Sequence, residues 1–247
     1  MKKPVVVVAA TSGIGRAIAR RLGQDGTPLI LTGRDGPAAS RIASDCKARF
    51  SIEAAAVEVD MLRVEEILSL IEHIKRLAPN GIEGLITCQG AMPDQDDLIS
   101  NPEMLQNLVK LNFTSVVTLF EAVAEVLSET GGGFLCAITS VAADRGRPRH
   151  HLYGSTKSAL TTYLEGLRVR LYPNNINVVN IKPGVVDTAM TWGLSSSAPM
   201  ASPDRVAKDT LRAIDRNRPV AYSPAVFSLI MKLVRAIPDR IFNRLDF

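Results

Sequence analysis

Tyr153 and Lys157 stand four residues apart in Tyr153-Gly154-Ser155-Thr156-Lys157, a stretch that reads as the start of a helix. At that spacing the two side chains leave the same helix face, one turn apart. An ammonium beside a phenol favours phenolate, so the spacing predicts a Tyr153 pKa drawn down towards neutrality. A tyrosine so placed is a general acid for carbonyl reduction, or a general base for alcohol oxidation. Ser140 closes an apolar run just upstream and can donate to the same substrate oxygen as charge builds on it. Tyr-x-x-x-Lys also arises on any exposed helix, so the pair takes its meaning from what surrounds it.

A second chemistry-bearing stretch lies near the beginning. The apolar run Val5–Ala10 enters Thr11-Ser12-Gly13-Ile14-Gly15-Arg16, followed by a helical pattern at Ala17, Ile18, Ala19 and Leu22. Glycines between a strand and a helix let the backbone approach a pyrophosphate, and the helix start offers free N–H groups and a positive dipole end. A plain tight turn is the alternative. The next strand candidate ends at Thr32-Gly33-Arg34, where the residue facing the adenosine ribose is expected. Arg34 suits the 2′-phosphate of NADP; Asp35 follows directly, which keeps NAD as the alternative. Asp60 ends the third candidate strand and reads either as an acceptor for the adenine amino group or as a helix cap.

These residues need elements to hold them. Strand candidates are Val5–Ala10, Leu29–Thr32, Ala55–Val59, Leu85–Cys88, Phe134–Ser140 and Asn177–Ile181, which read as hydrophobic stretches rather than strict alternations. Strands covered by helices on both faces look like that. Val64, Ile67, Leu68, Ile71 and Ile74 keep helical spacing, as do Val116, Leu119, Phe120 and Val123. Ser202-Pro203 is a helix start, with Ser as cap and Pro at the first helical position. The alternation implies α/β architecture: one doubly wound, Rossmann-type parallel sheet with helices on both faces. Residues 1–247 read as a single dinucleotide-binding catalytic domain, with 223–247 as an apolar and basic C-terminal extension.

Composition agrees. At 247 residues, 46% hydrophobic and 22% charged, the chain is an ordinary globular one, and disorder is a poor reading. A net charge of +4 suits an anionic ligand and is too small to argue for nucleic acid. Cys46, Cys88 and Cys136 form neither a disulfide pattern nor a zinc motif, which points to a reducing compartment, the cytoplasm by default, and no metal. His150 and His151 lack the spacing and acids of a metal site. The opening Met1–Pro4 and Val5–Ala10 have a signal-peptide layout, but the run is too short and enters the Gly-rich turn directly. No uninterrupted apolar run is long enough to span a bilayer.

With these motifs in this order, the chain resembles the short-chain dehydrogenase/reductase family over nearly its whole length. The resemblance implies an NAD(P)-dependent enzyme whose catalytic tetrad falls on Asn112, Ser140, Tyr153 and Lys157. In the family, the asparagine helps hold a water that links the lysine to solvent, and the lysine also bonds the nicotinamide ribose. Pro183-Gly184-Val185-Val186-Asp187-Thr188 is similar to the family segment in which, on this numbering, Val186 and Thr188 meet the nicotinamide carboxamide. Two departures stand out. Ala9 occupies the first glycine of the family turn and is acceptable there if its φ is negative. Gln89-Gly90 replaces the usual Ala-Gly beside the adenosine, placing a larger side chain there.

The substrate is less legible. Asp144-Arg145-Gly146-Arg147-Pro148-Arg149-His150-His151 borders the expected opening, where Arg145, Arg147 and His151 could grip a phosphate. A solvated loop or a subunit contact is the competing reading. A helix expected from about Ser223 to Ile237, then Pro238–Leu245, interleaves large apolar residues with Lys232, Arg235, Arg240 and Arg244. That pattern fits a membrane surface or a lipid chain, and equally oligomer packing or a substrate lid. Loop and tail together resemble a subgroup that includes the decaprenylphosphoryl-2-keto-erythro-pentose reductases. The reading is therefore NADP(H)-dependent reduction of a keto group on a sugar, lipid or lipid-linked sugar. The alternatives are an NAD-dependent alcohol dehydrogenase and a nucleotide-binding scaffold. The family resemblance implies a homodimer or homotetramer through the helices after Asn112 and Tyr153.

Overall fold

The computed structural model describes residues 2–192 and 200–245. Seven parallel strands form one sheet in the order β3-β2-β1-β4-β5-β6-β7. They are β1 (Val5–Val8), β2 (Leu29–Gly33), β3 (Ala54–Glu58), β4 (Gly84–Thr87), β5 (Gly133–Ile138), β6 (Ile176–Pro183) and β7 (Val220–Ser223). The connecting helices are α1 (Gly13–Gln24), α2 (Gly36–Phe50), α3 (Val64–Leu77), α4 (Gln95–Ser100), α5 (Pro102–Val109), α6 (Ser115–Glu129), α7 (His151–Leu171) and α8 (Pro203–Asp215). Two more, α9 (Val226–Ala236) and α10 (Asp239–Phe242), make up the tail.

The four valines of β1 show why the sheet is two-sided. Val6 and Val8 join a core with Ile67 and Leu70 of α3, Phe120 of α6, and Leu160 and Leu164 of α7. Val5 and Val7 join the other, with Ile18 of α1, Cys46 of α2 and Ala207 of α8. Alternate side chains of a strand leave opposite faces, so a run with no polar member must be covered twice. The order reverses where β1 lies between β2 and β4, with Val5 beside both Leu29 and Gly84. Helices pack on opposite faces on either side of that point, and the crevice beyond the strand ends is where an open α/β sheet takes its ligand.

The expected strands are all present, with shifted ends. Ala9 and Ala10 belong to the turn after β1, and β6 extends to Pro183. β7 was not expected: it has four residues, three of them only partly buried, so its apolar signal is weak. Ser202 caps α8, its Oγ accepting from the Arg205 amide at 3.2 Å, with Pro203 at the first position. All three cysteines are free. Pro102–Glu129 runs as one helical stretch of 28 residues, long and apolar enough by length and composition to cross a membrane. Half of its most apolar window is buried here, where α6 packs against α3 and α7 as a core helix.

Candidate active site

A cleft of about 260 Å³ opens at the switch point. Its lining draws on the turn after β1 (Ser12, Gly13, Ile14), the end of β4 (Cys88, Gln89, Gly90), the end of β5 (Ser140), α7 (Tyr153, Lys157) and the loop after β6 (Pro183, Gly184, Val186, Thr188). The structure thus gathers into one cleft residues spread over most of the sequence. Asn112 sits directly behind Gly90, where an added Cβ would lie 3.0 Å from Lys157 Nζ and 3.3 Å from Asn112 Oδ1.

The turn after β1 is built for close approach. Ser12 Oγ donates to Ala9 O at 2.8 Å and accepts from the Gly15 amide at 3.1 Å, capping α1. A Cβ on Gly15 would come within 2.4 Å of Ala9 O, so only glycine lets the helix sit this tightly on the strand. The Gly13 and Ile14 amides have no backbone partner among the described residues and open into the cleft. Free amides at a helix start fit a pyrophosphate. Ala9 does not meet the condition set for it: its φ is +56°, in the left-handed region. The turn keeps the geometry a glycine would give it and carries the strain of a methyl.

Gln89 lines the cleft, and its side-chain amide is bonded to its own chain. Its Nε2 donates to Leu111 O at 3.0 Å and Ser115 Oγ at 2.6 Å, and its Oε1 accepts from Thr87 Oγ1. These bonds tie β4 to a widened turn, Lys110–Thr114, in which the Ser115 amide reaches back five residues to Lys110 O. Such π turns cluster at functional sites. Here it carries Asn112, fully buried, whose Oδ1 accepts from the Ala91 amide and whose Nδ2 donates to Ala91 O, both at 2.9 Å. Nδ2 also reaches Thr156 Oγ1 at 3.1 Å.

Arg34 and Asp60, just beyond the ends of β2 and β3, do not line the cleft. The Asp35 carboxylate accepts from the Ala38 amide at 2.8 Å, capping α2. Arg34 is exposed and makes no hydrogen bond or ion pair among the described residues. Asp60 Oδ1 accepts from the Leu62 amide at 2.9 Å, the local capping role that was one of its two readings. Thr11 lies against Gly33, 2.9 Å from where a Cβ would stand there.

Tyr153 and Lys157 are both buried. Lys157 Nζ lies 5.9 Å from the Tyr153 ring centroid and donates to Ile138 O at 3.4 Å. The expected fall in the Tyr153 pKa does not occur. Burial pushes the phenol up to about 12, with the hydrogen bond to Ser140 pulling the other way. Burial likewise pushes the Lys157 ammonium down to about 8. Two groups that both lose hydration resist ionising, and that outweighs the pairing expected from spacing alone. Ser140 Oγ also accepts from the Ala142 amide at 3.1 Å.

The loop between Ser140 and Tyr153 divides its basic residues. Only Arg147 and His150 line the cleft. Arg145 is not brought there. Its guanidinium donates to Val234 O and Ile237 O at the end of α9, each at 2.6 Å, pairs with Asp239 and stacks 3.7 Å over Phe242. Free carbonyls at a helix end are natural partners for a cation. His151 faces away too, its Nδ1 3.1 Å from Pro148 O and its Nε2 3.4 Å from Gln95 Nε2. It precedes Tyr153 by two residues, about 200° around the helix, whereas His150 precedes it by three. Sequence reasoning passed over His150, and also Met92 and Met190, which line the cleft as apolar walls. Asp144 anchors the same loop from below, accepting from Lys182 Nζ and from Tyr222 Oη at 2.8 Å. No cluster of three or more metal-ligating side chains occurs among the described residues.

Anion-accepting amides at one end of a cleft and a buried proton donor at the other divide the work as an NAD(P)-dependent oxidoreductase does. Residues 3–198 match the short chain dehydrogenase family model, and this chain belongs to that family. It is 30% identical over 193 residues to the 3-oxoacyl-[acyl-carrier-protein] reductase of Aquifex aeolicus, covering 78% of this chain and 77% of the relative. A Burkholderia cenocepacia short chain dehydrogenase in complex with NADP superposes with a TM-score of 0.84 at 21% identity, covering 99% of this chain and 98% of that one. A Sphingobium yanoikuyae short-chain dehydrogenase in complex with NADPH gives 0.82 at 24% identity, covering 95% and 96%. At 99% coverage the first of these likenesses extends into the tail.

Proposed function

We propose that this enzyme is an NADP(H)-dependent reductase of a keto group on a sugar, lipid or lipid-linked sugar, with Tyr153 as its general acid. The observation that carries the reading is that the buried Tyr153–Lys157 pair and the half-buried Ser140 line the same cleft as Gly13 and Ile14 of the turn after β1. When bound, the reduced nicotinamide supplies hydride to the carbonyl carbon. The phenol, kept protonated by burial, delivers the proton to the oxygen. Ser140 donates to that oxygen as negative charge develops on it. Lys157 and Asn112 hold the proton path behind the tyrosine, and Lys157 bonds the ribose. Gly13 and Ile14 receive the pyrophosphate, and Val186 and Thr188 receive the carboxamide.

NADP is preferred over NAD because the nearest acid, Asp35, is committed to capping α2 while Arg34 is left for a 2′-phosphate. The lipid part of the reading draws on α9. Val226, Leu229, Ile230 and Leu233 form one exposed apolar face, with Lys232 and Arg235 beside it and Ile241 exposed beyond. Assembly as a dimer or tetramer is proposed through the outer faces of α6 and α7, where Val169 and, just past the end of α7, Tyr172 are exposed.

Titration with NADPH and NADH, followed by a carbonyl panel including polyprenyl-phosphate sugars with and without lipid vesicles, tests the whole reading. NADPH is expected to bind at least tenfold tighter than NADH, and Arg34→Ala to remove most of that difference, since a charge-assisted contact is worth roughly 1.5–3 kcal/mol. Tighter binding of NADH would overturn the role of Arg34. Equal rates on simple ketones, with no gain from a lipid phosphate, would refute the lipid-linked substrate.

A further inference from the structure

Among the described residues lining the cleft, the side chains able to carry charge are Cys88, Arg147, His150, Tyr153 and Lys157, and none is Asp or Glu. Arg147 is unusual within that set. It makes no hydrogen bond or ion pair among the described residues, and its Nε is buried without a partner. The closest acid along the chain, Asp144, has its carboxylate taken by Lys182 and Tyr222. Arg145, two residues before, is consumed by the end of α9. Native structures seldom bury an arginine nitrogen unpaired, because the lost hydration is not recovered. Such a group calls for an external counter-charge.

We infer that Arg147 is the receptor for an acidic oxyanion, a carboxylate, sulfonate or phosphate, carried on the same molecule as the reacting carbonyl. The inference rests on the reductase reading above and names the class of its substrate. The dinucleotide's own phosphates are served elsewhere, by the Gly13 and Ile14 amides and by Arg34. Arg147 lies on the loop joining Ser140 to Tyr153, the two groups that meet the carbonyl oxygen. The guanidinium fork matches an oxyanion with two parallel donors. Met92, Val141 and Met190 add apolar surface to the cleft, which strengthens the pair. His150 adds a neutral ring beside it: burial and the neighbouring Arg147 and Arg149 charges hold its pKa below the usual value. The fixed positive charge of the loop therefore reaches the cleft through Arg147.

The test compares charged and neutral carbonyl pairs on the NADP-loaded enzyme by calorimetry, and with NADPH by turnover. Suitable pairs are levulinate with its methyl ester, dihydroxyacetone phosphate with dihydroxyacetone, and a polyprenyl-phosphate ketose with its phosphate-free polyprenyl glycoside in mixed micelles. At least one charged member should bind at least tenfold tighter than its neutral partner. In Arg147→Gln that ratio should fall to about one. A preference confined to the micelle pair assigns the oxyanion to a lipid phosphate; one in the soluble pairs assigns it to a small acid. The ligand-free Arg147→Gln protein should melt at the same temperature as wild type or higher, because it loses a half-buried cation whose Nε has no partner. No charged preference in wild type, a preference that survives the substitution, or a clear drop in melting temperature would each overturn the inference. Failure of the reductase reading shows differently, as no NADPH oxidation with any charged or neutral probe, and leaves the binding ratios readable.

Discussion

Lys157→Met should make the cofactor-free enzyme more stable while abolishing its activity. Burial depresses the Lys157 pKa from 10.5 to about 8. For a base, a folded-state pKa below the unfolded one means the unfolded chain binds protons that the folded chain releases. Stability from this group therefore climbs with pH between about 8 and 10.5, and below 8 the folded state carries the full penalty. A pKa fall of that size amounts to about 3 kcal/mol at pH 7. By pH 9.5 the same two pKa values leave about half of it. Methionine fills a similar volume without charge and gives up the 3.4 Å contact to Ile138 O and the 5.9 Å approach to the Tyr153 ring. For a chain of this size the gain is worth a Tm rise of roughly 6–12 °C at pH 7, shrinking to about half at pH 9.5. Tyr153, raised to about 12, stays protonated throughout that range and does not contaminate the comparison. Thermal melts of both proteins at pH 7, 8, 9 and 9.5 read the effect. A variant less stable than wild type at pH 7, or a gap independent of pH, would refute the claim that the site stores this cost.

Two further perturbations address the supports of the site. Ala9→Gly should stabilise by about 0.5–1 kcal/mol in urea denaturation: relieving a left-handed alanine returns about 1–2 kcal/mol, offset by the greater freedom of an unfolded glycine. A destabilised Ala9→Gly would show that the turn carries no strain at that residue. Asp144→Ala should cost about 3–5 kcal/mol by leaving Lys182 buried without its partner, and Lys182→Met in the same chain should recover part of it. Loss below about 1 kcal/mol would remove the Lys182–Asp144–Tyr222 network as an anchor of the loop.

Much of the architecture could be read from strands such as Val5–Val8, because a strand buried on both faces has no polar residue to blur its limits. Tyr153, Lys157 and Ser140 were legible through helix spacing and a strand end, both of which are local. What escaped depended on partners distant in sequence. β7 is half-exposed and looks like loop until β6 is beside it. Arg145, Arg147 and His151 look equivalent in the sequence. Which one reaches the cleft is decided by α9, whose last carbonyls capture Arg145, and by the phase of α7, which turns His151 outward. The bonds that hold Gln89 were not legible because its acceptor, Leu111, lies on a π turn that no periodicity announced. The Tyr153 pKa went the other way from its spacing because burial is a property of the whole core.

Tyr153→Phe tests the central claim most directly. Steady-state NADPH oxidation with a carbonyl substrate and NADPH binding should be measured side by side for wild type and variant. Removing the one proton donor at the carbonyl should lower kcat by roughly 10²–10⁴-fold, the usual worth of a general acid, while NADPH affinity changes little. A variant that keeps its kcat, or a wild type with no NADPH-dependent carbonyl reduction to lose, would contradict the assignment of Tyr153 as the acid of this enzyme.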